Sequence, residues 1–194
     1  MLTPESHVAA VGRFHDSQGP VELLVRGEAG YTLVRVVAGH LEPLAFFPWG
    51  AWVGVGPLMP EDSLQLAGDM DGNGLDDLRV QTHEGVAVLG FGNGQLYPVL
   101  EAWYGQDLDG WDLRPEDTFQ AAGDLNGDGR KDLVVRREDR LGMLSLLAWD
   151  PRRLQWSTPL GPSEDGLSVI RAGSVYADLD GDGLREVLVS EVAP

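Results

Sequence analysis

Three short segments of this chain repeat one arrangement of oxygen-bearing side chains. They are Asp69-Met70-Asp71-Gly72-Asn73-Gly74-Leu75-Asp76-Asp77, Asp124-Leu125-Asn126-Gly127-Asp128-Gly129-Arg130-Lys131-Asp132 and Asp178-Leu179-Asp180-Gly181-Asp182-Gly183-Leu184-Arg185-Glu186. Positions 1, 3, 5 and 9 carry Asp69, Asp71, Asn73 and Asp77 in the first segment and Asp124, Asn126, Asp128 and Asp132 in the second. In the third they carry Asp180 and Asp182 between Asp178 and Glu186. Calcium takes six to eight hard oxygen ligands, and alternate Asp or Asn residues in a tight loop can turn their oxygens toward one centre. The Gly at position 6 permits the sharp bend. Without a cation, two such carboxylates about 4 Å apart repel by about 4 kcal/mol at an effective dielectric of about 20. Any one loop also reads as a polar turn with Asx and Gly chemistry. Three in register point instead to three calcium sites. An EF-hand is excluded, because its bidentate Glu at position 12 is here Val80, Val135 or Val189.

The elements that hold these loops are legible from a repeat. A shift of 55 residues lays Pro60-Glu61-Asp62-Ser63-Leu64-Gln65-Leu66-Ala67-Gly68-Asp69 onto Pro115-Glu116-Asp117-Thr118-Phe119-Gln120-Ala121-Ala122-Gly123-Asp124. An acid followed by an apolar alternation recurs as Glu22-Leu23-Leu24-Val25, Asp77-Leu78-Arg79-Val80, Asp132-Leu133-Val134-Val135 and Glu186-Val187-Leu188-Val189, at spacings of 55, 55 and 54. The first and third residues after the acid are Leu or Val in all four, the period-two mark of a strand with one face buried. A second apolar run follows in the first three copies, at Leu33–Val37, Val86–Leu89 and Leu144–Leu147, after a turn containing Gly. Segments around Leu96–Trp103 and Leu154–Leu160 offer a further strand per unit. Repeats of this length cannot bury an apolar face alone and stack on their neighbours.

The expected fold is therefore all-β, with β-propeller-like tandem blades of antiparallel strands in about three and a half repeats of 55 residues. One repeat domain spans residues 1–194, with units near 1–55, 56–110, 111–165 and a shorter 166–194. Only five residues follow Val189, which leaves a compact monomer with a thin fourth unit and an edge-paired dimer both open.

Composition narrows the partners. With 31 acidic against 14 basic residues the net charge is −17, so nucleic acid is not an expected partner and cations are. No cysteine is present, which removes disulfides and thiolate nucleophiles. The longest uncharged stretch, 45–60, is broken by Pro48, Pro57 and Pro60, so no membrane insertion is expected. The N-terminus lacks the basic and apolar regions of a signal peptide. His7, His15, His40 and His83 have no metal spacing, and the Gly90-x-Gly92-x-Gly94 run lacks the dinucleotide pattern. No catalytic motif is visible, and the chain is expected to be non-catalytic. Trp49, Trp52, Trp103 and Trp111 lie in the segments joining repeats, where they are expected to pack between units, with stacking on sugars as the alternative. The Arg136-Arg137 and Arg152-Arg153 pairs read as surface charge, and the acidic stretch 107–112 reads as solvated.

The three loops, together with the strand and glycine turn Val86-Ala87-Val88-Leu89-Gly90-Phe91-Gly92-Asn93-Gly94, resemble the FG-GAP or VCBS repeats of integrin α-subunit propellers and bacterial secreted proteins. The resemblance covers nearly the whole chain. It implies side-chain ligands at positions 1, 3, 5 and 9 and a backbone carbonyl at position 7, from Leu75, Arg130 and Leu184. Two departures stand out. Glu186 replaces Asp, and the first copy begins with Phe14, which cannot ligate metal. The family implies a binding or adhesion scaffold in an extracellular or cell-envelope setting, with a protein or glycan ligand. A carbohydrate-binding propeller and the non-catalytic portion of a secreted polysaccharide- or lipid-degrading enzyme are the alternatives.

Overall fold

The computed structural model describes residues 6–108, 111–121, 123–125, 127–137, 140–147, 150–160, 175–177 and 186–188. All regular structure among them is β. The first sheet contains β1 (His7–Gly12), β2 (Glu22–Gly27), β3 (Gly30–Val37) and β4 (His40–Pro48). The second contains β5 (Ser63–Gly68), β6 (Asp77–Gln81), β7 (Gly85–Gly92) and β8 (Gln95–Trp103). A small hairpin, β9 (Asp107–Leu108) with β10 (Trp111–Asp112), precedes the third sheet. That sheet contains β11 (Thr118–Ala121), β12 (Leu133–Arg137), β13 (Arg140–Leu147) and β14 (Asp150–Leu160). Finally β15 (Val175–Ala177) pairs with β16 (Glu186–Leu188).

Each four-stranded sheet is an up-and-down antiparallel meander in chain order. The all-β, antiparallel expectation holds, and the segments around Leu96–Trp103 and Leu154–Leu160 do supply the fourth strands, β8 and β14. Chain turns between β7 and β8 use Asn93 (φ 52°) and Gly94 (φ 77°), the left-handed pair that a two-residue hairpin turn requires.

Apolar residues explain how the sheets stack. Alternate residues of β7 go to opposite sides: Ala87, Leu89 and Phe91 join Leu78 and Val80 against Ala10, Leu24 and Leu33 of the first sheet. Val86 and Val88 instead join Leu133, Val135 and Leu144 of the third. A strand buried on both faces reads as a continuous apolar run, as 86–91 does. Each fully buried Leu or Val contributes about 1.5–3 kcal/mol. In β6 and β12 the first and third residues after the acid face the preceding sheet. In β2 it is Leu24 that contributes to the contact with the following sheet, while Leu23 stays half-buried. The first strands of the three units are neighbours, β1 beside β5 and β5 beside β11, which brings their connecting loops to one end.

Two readings of charged segments need correction. Arg137 is not surface charge: it is 8% exposed and its guanidinium grips Asp117 at 2.7 and 2.8 Å, over the ring of Trp111. Burial alone would raise the Asp117 pKa, but hydrogen bonds from Arg137, Trp111 and the Arg114 amide outweigh it and hold the carboxyl below its ordinary value. Nor is 107–112 wholly solvated, because Leu108 and Trp111 are buried. The tryptophans divide. Trp49 packs edge-on against Tyr31 and Trp111 lies in the core, whereas Trp52 is 65% and Trp103 38% exposed. The side chains of Arg152 and Arg153 lie outside the described residues. All four histidines are exposed.

Candidate metal centres

The loop between β5 and β6 is bent by its own side chains. Asp69 accepts the Gly72 N–H through Oδ1 and the Gly74 N–H through Oδ2, both at 2.8 Å. Asp71 Oδ1 accepts the Asn73 N–H at 3.0 Å, and Asn73 Oδ1 accepts the Leu75 N–H at 2.7 Å. Gly72 and Gly74 take φ of 78° and 85°, which side chains with a Cβ rarely adopt, so glycine at positions 4 and 6 lets the chain coil around Asp69. The loop between β11 and β12 repeats the design. Asp124 Oδ1 accepts from Gly127 at 2.7 Å and from Asp128 at 3.1 Å, and Oδ2 accepts from Gly129 at 2.8 Å. Asp128 Oδ1 takes the Arg130 N–H at 2.9 Å.

The ninth-position acids are anchored from the strands. Asp77, at the start of β6, is fully buried and accepts the Met70 N–H through Oδ2 at 2.9 Å. Its Oδ1 is buried with no hydrogen-bond partner. One carboxylate oxygen from each of Asp69, Asp71 and Asp77 lies within 4.8 Å of the others. Burial pushes the Asp77 pKa up to about 7; the Met70 N–H pulls it down, and the charges of Asp71 and Asp69 push it further up. Burial, followed by Asp69, also raises Asp71 against the pull of the Asn73 N–H. A partnerless buried carboxylate oxygen beside two more acids is costly without a cation. The all-oxygen donor set suits a hard divalent ion and not zinc, which prefers nitrogen and sulfur. These residues therefore fit calcium.

In the second loop Asp132 is also fully buried, with the Leu125 N–H on Oδ2 at 2.7 Å and the Ser145 hydroxyl on Oδ1. Burial raises its pKa, against the pull of those two donors. Leu75 and Arg130 occupy the seventh positions of the two bends. Asn126 and, in the third loop, Asp178, Asp180, Asp182 and Leu184 lie outside the described residues. Glu186 begins β16, and its side chain also lies outside them.

Neighbouring loops touch. The Lys131 N–H donates to the Asp69 carbonyl at 2.8 Å, and Arg130 packs over Gly72, where an added Cβ would meet its Nε at 3.2 Å. Asp76 holds the Arg13 N–H through Oδ2 and gives its own N–H to the Arg13 carbonyl, both at 2.7 Å. In the first copy Phe14 is buried and offers no oxygen, as expected. There Glu22 Oε2 accepts the N–H groups of both Phe14 and His15 at 3.0 Å. Sequence reasoning missed Ser145 and Tyr97, the latter 3.5 Å through its hydroxyl from Asn73 Nδ2. The available signal was the strand register. Position 9 plus thirteen falls on the adjacent strand at Arg35, Gly90 and Ser145, and only the last carries a hydroxyl.

No curated protein matches the chain. Residues 124–189 match the family model of the FG-GAP-like repeat, from the first acid of the second loop through the third loop to the strand behind it. Residues 124–189 are thus similar to an FG-GAP-like repeat, and the loop of residues 69–77, outside the match, has the same spacing of oxygen-bearing side chains as the loop of residues 124–132.

Proposed function

We propose that the chain is a calcium-stabilised, non-catalytic repeat protein of propeller-like architecture, acting as a binding or adhesion scaffold in an extracellular or cell-envelope setting. The observation that carries the calcium reading is the buried, partnerless Oδ1 of Asp77 beside Asp69 and Asp71. The scaffold role is supported by the match of residues 124–189 to the FG-GAP-like repeat and by a stack of sheets whose first strands are neighbours, so that the loops lie at one end. Three doubly charged ions would bring the net charge from −17 to −11. Calorimetric titration of chelator-treated protein tests this. Three calcium ions per chain are expected, with magnesium binding weakly because it demands a smaller octahedral shell. No binding heat with calcium would sink the reading.

One observation favours a glycan as the ligand: Trp52 is 65% exposed and Trp103 38%, and aromatic faces of this kind stack on sugar rings. Quenching of tryptophan fluorescence by a glycan, lost in Trp52→Ala, would support this. A flat response across a glycan panel would favour a protein ligand instead.

A further inference from the structure

The ligand positions of loops 69–77 and 124–132 carry the same formal charge, three carboxylates and one Asn each. What stands behind those positions differs. In the second loop Ser145 on β13 donates to Asp132 Oδ1 and Leu125 to Oδ2, so both oxygens of the buried acid are engaged by protein. In the first, the residue corresponding to Ser145 is Gly90, which has no side-chain donor, and Asp77 Oδ1 is left alone. The space over Gly90 is taken by Tyr97 of β8, whose hydroxyl oxygen lies 2.6 Å from where a Gly90 Cβ would sit.

Tyr97 also reaches the fifth position. Asn73 Nδ2 donates to Asp71 Oδ2 at 3.0 Å and lies 3.5 Å from the Tyr97 hydroxyl. Were Asp71 to turn to a cation, the phenol would remain as an acceptor for that nitrogen, leaving Asn73 Oδ1, which already takes the Leu75 N–H, to face the ion. Position 5 of the second loop is Asp128, a carboxylate with no amide to orient.

We propose that loop 69–77 is the tighter calcium site and fills before loop 124–132, because Tyr97 orients Asn73 for the ion while Ser145 competes with the ion for an oxygen of Asp132 that has no such rival at Asp77. This rests on the calcium reading above. Calcium titration of the full chain carrying Asp124→Asn and Asp178→Asn reads the first loop alone. Asp69→Asn with Asp178→Asn reads the second. Adding Tyr97→Phe to the first background is expected to weaken binding about tenfold, the scale of removing an outer partner of a metal ligand. Adding Ser145→Ala to the second is expected to tighten binding by a similar factor. Should a background fail to fold, terbium luminescence in the otherwise unaltered chain gives the readout: tyrosine-excited emission from the first equivalent is expected to fall in Tyr97→Phe. Equal affinities of the two loops, or affinities and emission unmoved by these substitutions, would overturn the proposal while calcium binding stands. An unaltered chain that binds no calcium would overturn both.

Discussion

Loops 14–22 and 69–77 make the same connection, from the first strand of a unit to the second, and close it by opposite means. In 14–22 the first position is Phe14, fully buried with Leu24 and Leu33 in the core between the first two sheets. The ninth is Glu22, long enough for one oxygen to take two backbone N–H groups. In 69–77 the first position is Asp69, wrapped by glycine amides, and the ninth is Asp77, with one oxygen unmatched. The bend itself therefore does not demand metal. An apolar plug with a longer acid closes it internally, whereas three converging acids leave one buried oxygen unmatched, which on the calcium reading a cation from outside would satisfy.

The largest test of that contrast is chelation. A site at calcium 100-fold above its dissociation constant adds about 2.7 kcal/mol, and three add about 8, comparable with a whole domain's 5–15 kcal/mol. Thermal melts in calcium and in excess chelator are expected to differ by many degrees. Coincident curves after verified metal removal would erase the distinction between the loops. Next in size is Phe14→Ala, which empties a fully buried aromatic site and is expected to cost about 3–5 kcal/mol. If 14–22 is closed by packing, urea unfolding will report the same loss with calcium and with chelator. A loss seen only in calcium would mean that Phe14 shapes an ion site.

Asp77→Asn should show a change of sign. In calcium it is expected to remove one bound ion and about 2.7 kcal/mol at the same saturation. In chelator it replaces an uncompensated buried charge by a neutral amide and is expected to be neutral or stabilising. Equal destabilisation in both conditions would show that Asp77 acts through protein contacts alone.

Much of this was legible in the sequence because it depends on spacing. The 55-residue shift located the strands, and the positions of Asp69, Asp71 and Asp77 anticipated their convergence. What escaped depends on strand register and on which side of a sheet a residue faces. Arg137 ends β12 as one of two adjacent arginines, and it is the pairing of β11 with β12, Thr118 opposite Arg136, that brings Asp117 to it, twenty residues upstream. Trp52 and Trp111 look alike in sequence, yet one lies outside the contact between sheets and the other within it. Ser145 sits inside an apolar run, where nothing marks it until β13 pairs with β12 and sets its hydroxyl against Asp132.

The smallest effect concerns Glu22, and it separates the two loops most cleanly. Glu22→Gln keeps the length of the side chain and a carbonyl oxygen able to accept the Phe14 and His15 amides, so the bend should survive. What is lost is charge. Hydrogen bonds to an ionised acceptor are roughly twice as strong as neutral ones, and a typical net contribution is about 1 kcal/mol. A loss of about 1 kcal/mol is therefore expected. Because Phe14 supplies no oxygen, that loss should be the same in calcium and in chelator, and the number of ions bound should not change. Asp77→Asn, the corresponding change one unit later, should lower the count by one. If Glu22→Gln also lowered it by one, loop 14–22 would hold calcium despite Phe14, and its closure by packing would have to be abandoned.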